Sequence, residues 1–214
     1  MFKLYGAPIS NYYNIAKLAM LEKGLDFEEI HRMPSQSEEF LAISPLGRIP
    51  VLEVREGFIT ETLVIIEFLE DIYPEIALFP KDPFKKAQVR RLCHMAEKDI
   101  DASVRPLLAT VFAGKALEDK KKSLAVARLK RGVAALDKTA RLKPWMAGES
   151  FSAADIFAYY CLGFAGFIAD RCLELDIDTL SPALAQWRAR MAEREWVVEL
   201  DRAQMEGINK MLGK

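Results

Sequence analysis

The sequence predicts an α/β domain with a mixed four-stranded sheet, followed by an all-helical domain. Up to about residue 75, apolar residues change between strand and helix spacing, and afterwards they keep helix spacing alone. Between the two parts, "PEIALFPKDPF" has three prolines in eleven residues, which is typical of a linker. The charge also changes, because residues 1–80 hold 6 Lys or Arg against 13 Asp or Glu, whereas residues 81–214 hold 24 against 18. Such an asymmetry favours two domains.

The first part begins with a strand–helix–strand unit. "FKLYG" predicts a short strand, and "IAKLAMLEKG" has apolar residues at helix spacing, with Gly24 as its C-terminal stop. "DFEEIHRM" then alternates as a second strand. Because a helix connects the two strands, they should be parallel.

A short helix in "SEEFLAIS" leads to a hairpin and a further helix. "PVLEV" and "FITET" predict two strands that turn at Gly57. "LVIIEFLEDIY" is apolar on nearly every side, which predicts a helix that is buried on most of its faces. The order strand–helix–strand, then strand–strand–helix, is the thioredoxin-like arrangement.

The remaining chain predicts a helical bundle. The long helix that begins near residue 83 should bend at Pro106. The apolar run "IFAYYCLGFAGFIA" is shorter than the ~20 residues that a membrane span needs, so it predicts a buried helix. We therefore expect a thioredoxin-like domain at residues 1–75, a linker at 76–84, and an all-helical domain at 85–214.

Three cysteines indicate where the protein works. Cys93, Cys161 and Cys172 form no CxxC pair and no even-numbered framework, so we expect a reducing compartment, the cytoplasm. In helical surroundings they should act as small buried apolar groups rather than as nucleophiles. "MFKLYGAPIS" has no basic head followed by a long apolar run, so no secretory signal is predicted.

Charge and histidine placement argue against two further classes of function. The formal net charge is -1, so no overall field attracts nucleic acid. The basic run at 120–122, with Arg128, Lys130 and Arg131, has the pattern of a solvated helix face. His31 and His94 show no metal-ligand spacing, so we expect neither a metal ion nor a nucleic-acid partner.

Four local patterns, in order along nearly the whole chain, resemble the cytosolic glutathione S-transferase superfamily. "LYGAPIS" brings a serine to the start of the first helix, and "SPLGRIPVL" is similar to the family's Asn-Pro-x-Gly-Lys-Val-Pro-x-Leu. "ITETLVIIEFL" is similar to the Glu-Ser pair that opens the third helix of the family, and "FSAADIF" to its Ser/Thr-x-x-Asp box. The departures, Ser44, Arg48 and Thr62, are mild.

The resemblance implies that glutathione binds beside Pro50. In the family this proline is cis, and the backbone of the residue before it, here Ile49, pairs with the cysteinyl part of glutathione as an added strand would. Arg48, at the family's lysine position, belongs to the same site. Proline has no N–H for a sheet ladder, so Pro50 could also simply start an edge strand.

Glu61 and Thr62 suit the other end of glutathione. Thr62 is a good helix-capping type, which would be a purely structural role. The first N–H groups of a helix and its positive end also hold a carboxylate, and Glu61 offers the opposite charge for an ammonium. The pair therefore fits the γ-glutamyl group, which carries both charges.

The thiolate of glutathione needs a hydrogen-bond donor, for which Ser10 is the first candidate. Its competing role is that of a helix cap, which Asn11 could also fill. A donor and a helix end lower a thiol pKa of about 8.5, and the thiolate is the nucleophile. Tyr12 is the second candidate for the donor and Tyr5 the third. No cysteine stands at position 10, which argues against the classes that form mixed disulfides.

These features together predict a detoxifying glutathione transferase with glutathione as co-substrate. Its thiolate would attack a hydrophobic electrophile or reduce a peroxide, and the resemblance also implies a homodimer. The alternative is a non-catalytic protein-binding member of the same fold, such as a protein similar to the stringent starvation protein. The candidate walls of the electrophile pocket, which are also ordinary core candidates, are Leu107, Leu108, Val111, Phe112, Phe164 and Phe167.

Overall fold

The sheet has four strands in a mixed arrangement, as predicted from the sequence. A computed structural model describes residues 1–213. The strands are β1 (Phe2–Gly6), β2 (Phe27–His31), β3 (Val51–Val54) and β4 (Gly57–Ile59), in the order β2-β1-β3-β4. β1 runs parallel to β2 and antiparallel to β3, and β3 pairs antiparallel with β4. The parallel pair is the one whose connection is a helix, in line with the need for a crossover.

Helices account for most of the remaining chain. They are α1 (Asn11–Glu22), α2 (Glu38–Leu41), α3 (Thr62–Ile72), α4 (Pro83–Met95), α5 (Ala102–Val104), α6 (Leu108–Ala113), α7 (Asp119–Thr139), α8 (Ala153–Cys172), α9 (Pro182–Ala192) and α10 (Glu195–Met211). A six-residue π-helical turn (Ala96–Asp101) and two 3₁₀ turns (Arg105–Leu107 and Ile177–Leu180) complete them.

The chain forms two compact units. The first comprises Met1–Leu78 and the segment from Glu195 onward, and the second comprises Phe79–Arg194. Helix α10 therefore belongs to the unit that contains the sheet, where it contacts α1. The sequence did not indicate this return of the chain. The limits 1–75, 76–84 and 85–214 remain a prediction.

The core of the first unit lies between the sheet and helices α1 and α3. Leu4 and Leu52 from the sheet pack with Ala16 of α1 and Ile65 and Leu69 of α3, all without exposed surface. Helix α3 is buried on this face only, because Val64 and Ile72 on its other side are half exposed. The expectation that α3 is buried on most faces is therefore wrong for the isolated chain.

A buried ion pair closes the first unit behind α3. The Lys23 ammonium is fully buried and donates to Glu70 Oε2 (2.7 Å) and to the carbonyl oxygens of Tyr73 (2.8 Å) and Ile76 (2.9 Å). Glu70 Oε2 also accepts from the N–H of Leu78 (2.9 Å). Removing one partner of such a pair costs about 3–5 kcal/mol, so this network holds the segment after α3 in place.

The long helix at the start of the second unit is not uniform. It changes from α4 into the π-helical turn, and around Pro106 it becomes a 3₁₀ turn before α6. The change at Pro106 agrees with the predicted bend, since proline lacks the N–H that the helix needs. The π-helical turn has no proline and was not predicted.

Helix α8 is the core helix of the second unit. It has 20 residues, so it is longer than the apolar run from which the buried helix was predicted, and by length and composition alone it could span a membrane. However, 72% of its most apolar window is buried within the protein. Its start is closed by the capping box Ser152–Asp155, which is the Ser/Thr-x-x-Asp pattern seen in the sequence.

The three cysteines carry free thiols. Cys93 and Cys161 are buried as expected, whereas Cys172 is partly exposed, which corrects the expectation that all three are buried. Burial raises the pKa of Cys161 well above its ordinary value and also raises that of Cys172. High thiol pKa values disfavour the thiolate, so these residues lack the environment of a nucleophile.

Candidate functional site

Three loops that contain predicted site residues meet at one end of the sheet. Tyr5, near the end of β1, pairs with Val51 at the start of β3, and Leu52 pairs with Ile59 at the end of β4. Three loops therefore leave the sheet at the same end of the strands: the loop that follows β1, the loop that precedes β3 and the loop that follows β4. They carry Ser10, Ile49–Pro50 and Glu61–Thr62, respectively.

Ser10 caps α1 and retains a donor. It has extended backbone angles (φ -85°, ψ 119°), and its Oγ accepts from the N–H of Tyr13 at 3.3 Å. Because the hydroxyl acts as acceptor in this contact, its own hydrogen can still be donated. Capping and donation to a thiolate are therefore compatible roles of the same side chain, and Asn11 becomes the first helical residue instead of the cap.

The turn that carries Ser10 is anchored by Asn14. The buried Asn14 side chain donates from Nδ2 to the carbonyl of Pro8 (2.8 Å), and its backbone N–H donates to the carbonyl of Ser10 (3.0 Å). The N–H of Ser10 in turn donates to Ala7 O (2.9 Å). The sequence alone did not point to this role of Asn14, because an anchoring contact has no sequence signature.

Two nearby phenols have acceptors within the protein. Tyr5 donates to Glu53, and this contact, burial and the carboxylate charge raise the pKa of Tyr5 to about 12. Tyr13 is buried and donates to Glu29, and burial followed by this contact raises its pKa far above the ordinary value. Neither phenol is poised to serve an additional thiolate. Tyr12, the second residue of α1, is partly exposed and stays a candidate.

The loop before β3 is shaped by a serine and a glycine. Ser44 Oγ donates to the carbonyl of Arg48 (2.7 Å) and accepts from the N–H of the same residue (2.9 Å). Gly47 has φ 63°, and a Cβ there would lie 2.2 Å from the carbonyl oxygen of Ser35, so only glycine fits. The Arg48 side chain is exposed, while its backbone is fixed.

The same loop brings Ile49 and Pro50 to this end of the sheet, directly before β3. The Ile49–Pro50 peptide is cis, and both residues are buried. β3 begins only at Val51, so the N–H and C=O of Ile49 lie outside the ladder between β1 and β3. An extended ligand at this end of the sheet can pair with such backbone groups.

The start of α3 is unusual in backbone and in capping. Glu61 is exposed and has φ 66° and ψ 113°, a conformation that costs a residue with a Cβ about 1–3 kcal/mol. Within residues 1–213, no side chain caps this helix. Thr62, the first helical residue, is buried. Uncapped N–H groups beside an exposed carboxylate can bind a group that carries both charges.

The candidate pocket residues lie in the second unit. Leu107 is buried, whereas Leu108, Val111, Phe112 and Phe164 are partly exposed. Phe112 stacks on Phe167 of α8, with 5.9 Å between ring centroids. The guanidinium of Arg105 lies 4.5 Å from the ring centroid of Phe164. Helices α6 and α8 thus bring the predicted aromatic residues together.

Family models match both parts of the chain. Residues 4–77 match the model described as the N-terminal domain of glutathione S-transferase, and residues 87–190 match the model of its C-terminal domain. The chain belongs to the glutathione S-transferase family. It is accordingly an enzyme, a glutathione transferase, as the sequence patterns had indicated.

Individual relatives agree with this assignment. A glutathione S-transferase of Pseudomonas putida is 40% identical over 176 residues, which is 82% of this chain and 80% of the relative. Glutathione S-transferase 1 of Dianthus caryophyllus is 30% identical over 72% of this chain and 73% of its own. Among solved structures, a glutathione S-transferase of Rhodospirillum rubrum is 26% identical, with a TM-score of 0.77 over 94% of this transferase and 91% of that chain.

No metal centre is found in this transferase within the described part of the chain. Residues 1–213 contain no group of three or more His, Cys, Asp or Glu side chains that could hold a metal ion. The chemistry that the arrangement offers is that of hydroxyl donors, backbone N–H groups and charged side chains.

Proposed function

We propose that this transferase binds glutathione at the end of the sheet where these three loops meet, and that it ionises the thiol of glutathione there. The γ-glutamyl group would contact Glu61 and the first N–H groups of α3, and the cysteinyl backbone would pair with Ile49. Arg48 would face the glycyl end. The observation that carries the proposal is the sheet register, since it brings the loops of Ser10, Ile49 and Glu61 to one end of the sheet.

In this proposal Ser10 donates its hydroxyl hydrogen to the thiolate. The start of α1 adds a positive end, and together they lower the thiol pKa toward neutral pH. The thiolate attacks a hydrophobic electrophile or reduces a peroxide, with proximity as the main source of acceleration. The partly exposed side chains of α6 and α8, Phe112 and Phe164 among them, would contact the electrophile.

The experiment compares two capping serines. Ser37 caps α2 and accepts from the N–H of Phe40 (3.4 Å), much as Ser10 caps α1. Ser10→Ala and Ser37→Ala should each cost about 1 kcal/mol of stability. Only Ser10→Ala should lower turnover with a chromogenic aromatic electrophile and raise the spectroscopic pKa of bound glutathione. Unaltered turnover in Ser10→Ala would transfer the role to Tyr12.

The non-catalytic alternative is not favoured. The relatives that cover most of the chain have transferase names, and the chain keeps the acid–hydroxyl pair Glu61–Thr62 that a non-enzymatic relative could lose. Retention on immobilised glutathione, with release by free glutathione, tests binding directly. A folded protein that passes through such a column without delay would contradict the proposal.

We further propose a homodimer in the cytoplasm. The apolar side chains that the first unit leaves exposed include Phe58, Val64 and Ile72, which suit an interface. Among the acids of α3, Glu70 is buried against Lys23, whereas Glu67 and Asp71 could meet Lys85 and Lys86 at the start of α4 in a second copy. Sedimentation at micromolar concentration should exceed the monomer mass of 24.2 kDa. The three free thiols suit a reducing compartment.

A further inference from the structure

The second unit has a small cationic cavity. Its volume is about 250 Å³, and its lining consists of Lys98, Asp99, Ala102, Ser103, Arg128 and Arg131. Lys98 and Asp99 come from the π-helical turn, whereas the two arginines come from α7. The cavity therefore has three cations and one acid, which have a formal net charge of +2. None of these residues belongs to the proposed glutathione site.

The cavity depends on two features of the backbone. The turn Ala96–Asp101 is π-helical, and π-helical turns within α-helices occur frequently at functional sites. Gly132 of α7 lies against this turn, and a Cβ there would be 2.4 Å from the carbonyl oxygen of Asp99. Glycine within a helix costs about 1 kcal/mol relative to alanine, so the residue that permits this close approach lowers the stability of α7. It keeps Arg128 and Arg131 beside the turn.

Among the described residues, the cations of this cavity have no acidic ion-pair partner, unlike two lysines near the start of α7. Lys121 pairs with Glu118, and Lys122 pairs with Glu174. By contrast, Lys98, Arg128 and Arg131 form no ion pair with any residue of the described chain, 1–213. Asp99 balances only one of the three positive charges, so the cations still repel one another, and an anion between them relieves the repulsion.

We propose that this cavity binds the phosphate group of a small soluble molecule. Two guanidinium groups offer paired N–H donors that match phosphate oxygens, and Lys98 adds a point charge. A phosphomonoester carries about -1.5 to -2 charges at neutral pH, which balances the cavity. The Ser103 hydroxyl donates to Ile100 O (2.6 Å), so its oxygen and the Asp99 carboxylate remain to accept from hydroxyl groups of the ligand.

The size and distribution of charge favour a small ligand over a polymer. A volume of about 250 Å³ is below the ~300–1,000 Å³ of pockets for drug-sized molecules, so it suits a phosphate group with a few further atoms. A nucleic-acid strand is held by an extended basic groove with stacking aromatic side chains. The lining of this cavity has no aromatic residue and includes an acid.

Titration calorimetry with inorganic phosphate and with glycerol phosphate, at a constant ionic strength near ~0.15 M, tests the proposal. We expect saturable binding of both probes, with one molecule per chain. Arg128→Gln with Arg131→Gln should weaken binding about 100-fold, since each lost charge-assisted contact costs about tenfold. Both arginines are exposed, so the double variant should fold and keep its transferase turnover.

The matched control is Lys120→Gln with Lys130→Gln. These exposed lysines of α7 are not part of the lining, and the double variant loses the same two charges. Its affinity for phosphate should change less than threefold. Equal weakening in both double variants would overturn the proposal in favour of diffuse attraction. The absence of saturation at 20 mM phosphate, or binding only to vesicles with phosphate headgroups, would overturn it as well.

A contact between subunits is the remaining competitor, and sedimentation separates it. The double arginine variant should sediment like the parent protein. If it dissociates while phosphate binding is absent in the parent, the cluster is an interface and the proposal is wrong. Failure of the glutathione column would leave this outcome unaffected, because the cavity lies entirely in the second unit.

Discussion

The starts of α3 and α8 differ in how their first backbone N–H groups are capped. Each helix begins with N–H groups that have no partner within the helix. At α8, the Ser152 side chain accepts from the N–H of Asp155, and Asp155 in turn accepts from the N–H of Met146 (2.7 Å) and of Ser152 (3.0 Å) and from the Trp187 indole (3.0 Å), so side chains of the protein cap this helix. At α3, no side chain of the described residues caps the helix, and Glu61 has a positive φ.

We propose that the start of α8 is structural and that the start of α3 is functional. The S-x-x-D pattern at α8 marks a closed network in a dry core, in which each donor has an acceptor. At α3 we propose that the uncapped donors beside Glu61 and Thr62 serve a ligand, together with a strained backbone that such sites tolerate. Changes at α8 should therefore affect stability, and changes at α3 should affect glutathione binding.

The largest effect is expected from Asp155→Ala. The change removes the acceptor of four buried donors, the N–H groups of Met146 and Ser152, the Ser152 hydroxyl and the Trp187 indole. A buried donor that is left unpaired costs about 1–3 kcal/mol, so we expect a loss of at least about 4 kcal/mol. Urea unfolding measures it. Asp82→Ala is the control, because Asp82 caps α4 at an exposed position and should cost only about 1 kcal/mol. Similar losses in both variants would contradict the distinction between a buried network and an exposed cap.

The same residue should make stability depend on pH. Burial raises the pKa of Asp155 from 3.8 to about 6, although its hydrogen-bond donors act in the opposite direction. The folded state then binds the proton more tightly than the unfolded state does. The contribution is complete below pH 3.8 and is lost as the pH rises through about 6, with a size of about 3 kcal/mol.

Asp155→Asn isolates this contribution, since an amide does not titrate. Unfolding free energies at pH 4, 5, 6 and 7 should fall more steeply with pH for the parent protein than for the variant. Parallel curves would show that Asp155 has an ordinary pKa, and the account of its burial would then be wrong.

At α3 the expected change is in ligand affinity. Thr62→Ala and Glu61→Gln should each weaken glutathione binding by about 1.5–3 kcal/mol in calorimetry, because each removes a contact to a charged group. Thr179→Ala and Glu56→Gln remove the same groups at exposed positions elsewhere and should bind normally. Unchanged affinity in both α3 variants, with the fold intact, would remove the proposed γ-glutamyl contacts.

The smallest expected effect is a gain in stability at the start of α3. Glu61→Gly removes the Cβ at φ 66°, so the free energy of unfolding should rise by about 1 kcal/mol while glutathione affinity falls. Glu61→Ala lowers affinity as well but keeps the Cβ, so it should show no gain in thermal stability. A gain in the alanine variant would mean that the backbone at Glu61 is not the source of strain.

Sequence reasoning found the helix starts but could not tell them apart by pattern alone. Ser10, Thr62 and Ser152 are all good capping types at the beginning of a helix. Only the contacts distinguish them, because a hydrogen-bond partner can come from a distant residue, as the Trp187 indole that donates to Asp155 illustrates. The same holds for Tyr5, which was a candidate until its partner Glu53 was seen across the sheet.

The amino-acid sequence by itself determined the two-part architecture, the order of the strands and helices in the first part, and the family. Those properties follow from local spacing, turn residues and short motifs, which adjacent residues encode. Tertiary structure alone decided that α10 packs with the first unit, that Glu70 is buried against Lys23, and that Lys98 meets Arg128 and Arg131 beside a π-helical turn. Such pairings join residues far apart along the chain, and the free energy that selects them comes from the burial and charge of the folded protein as a whole.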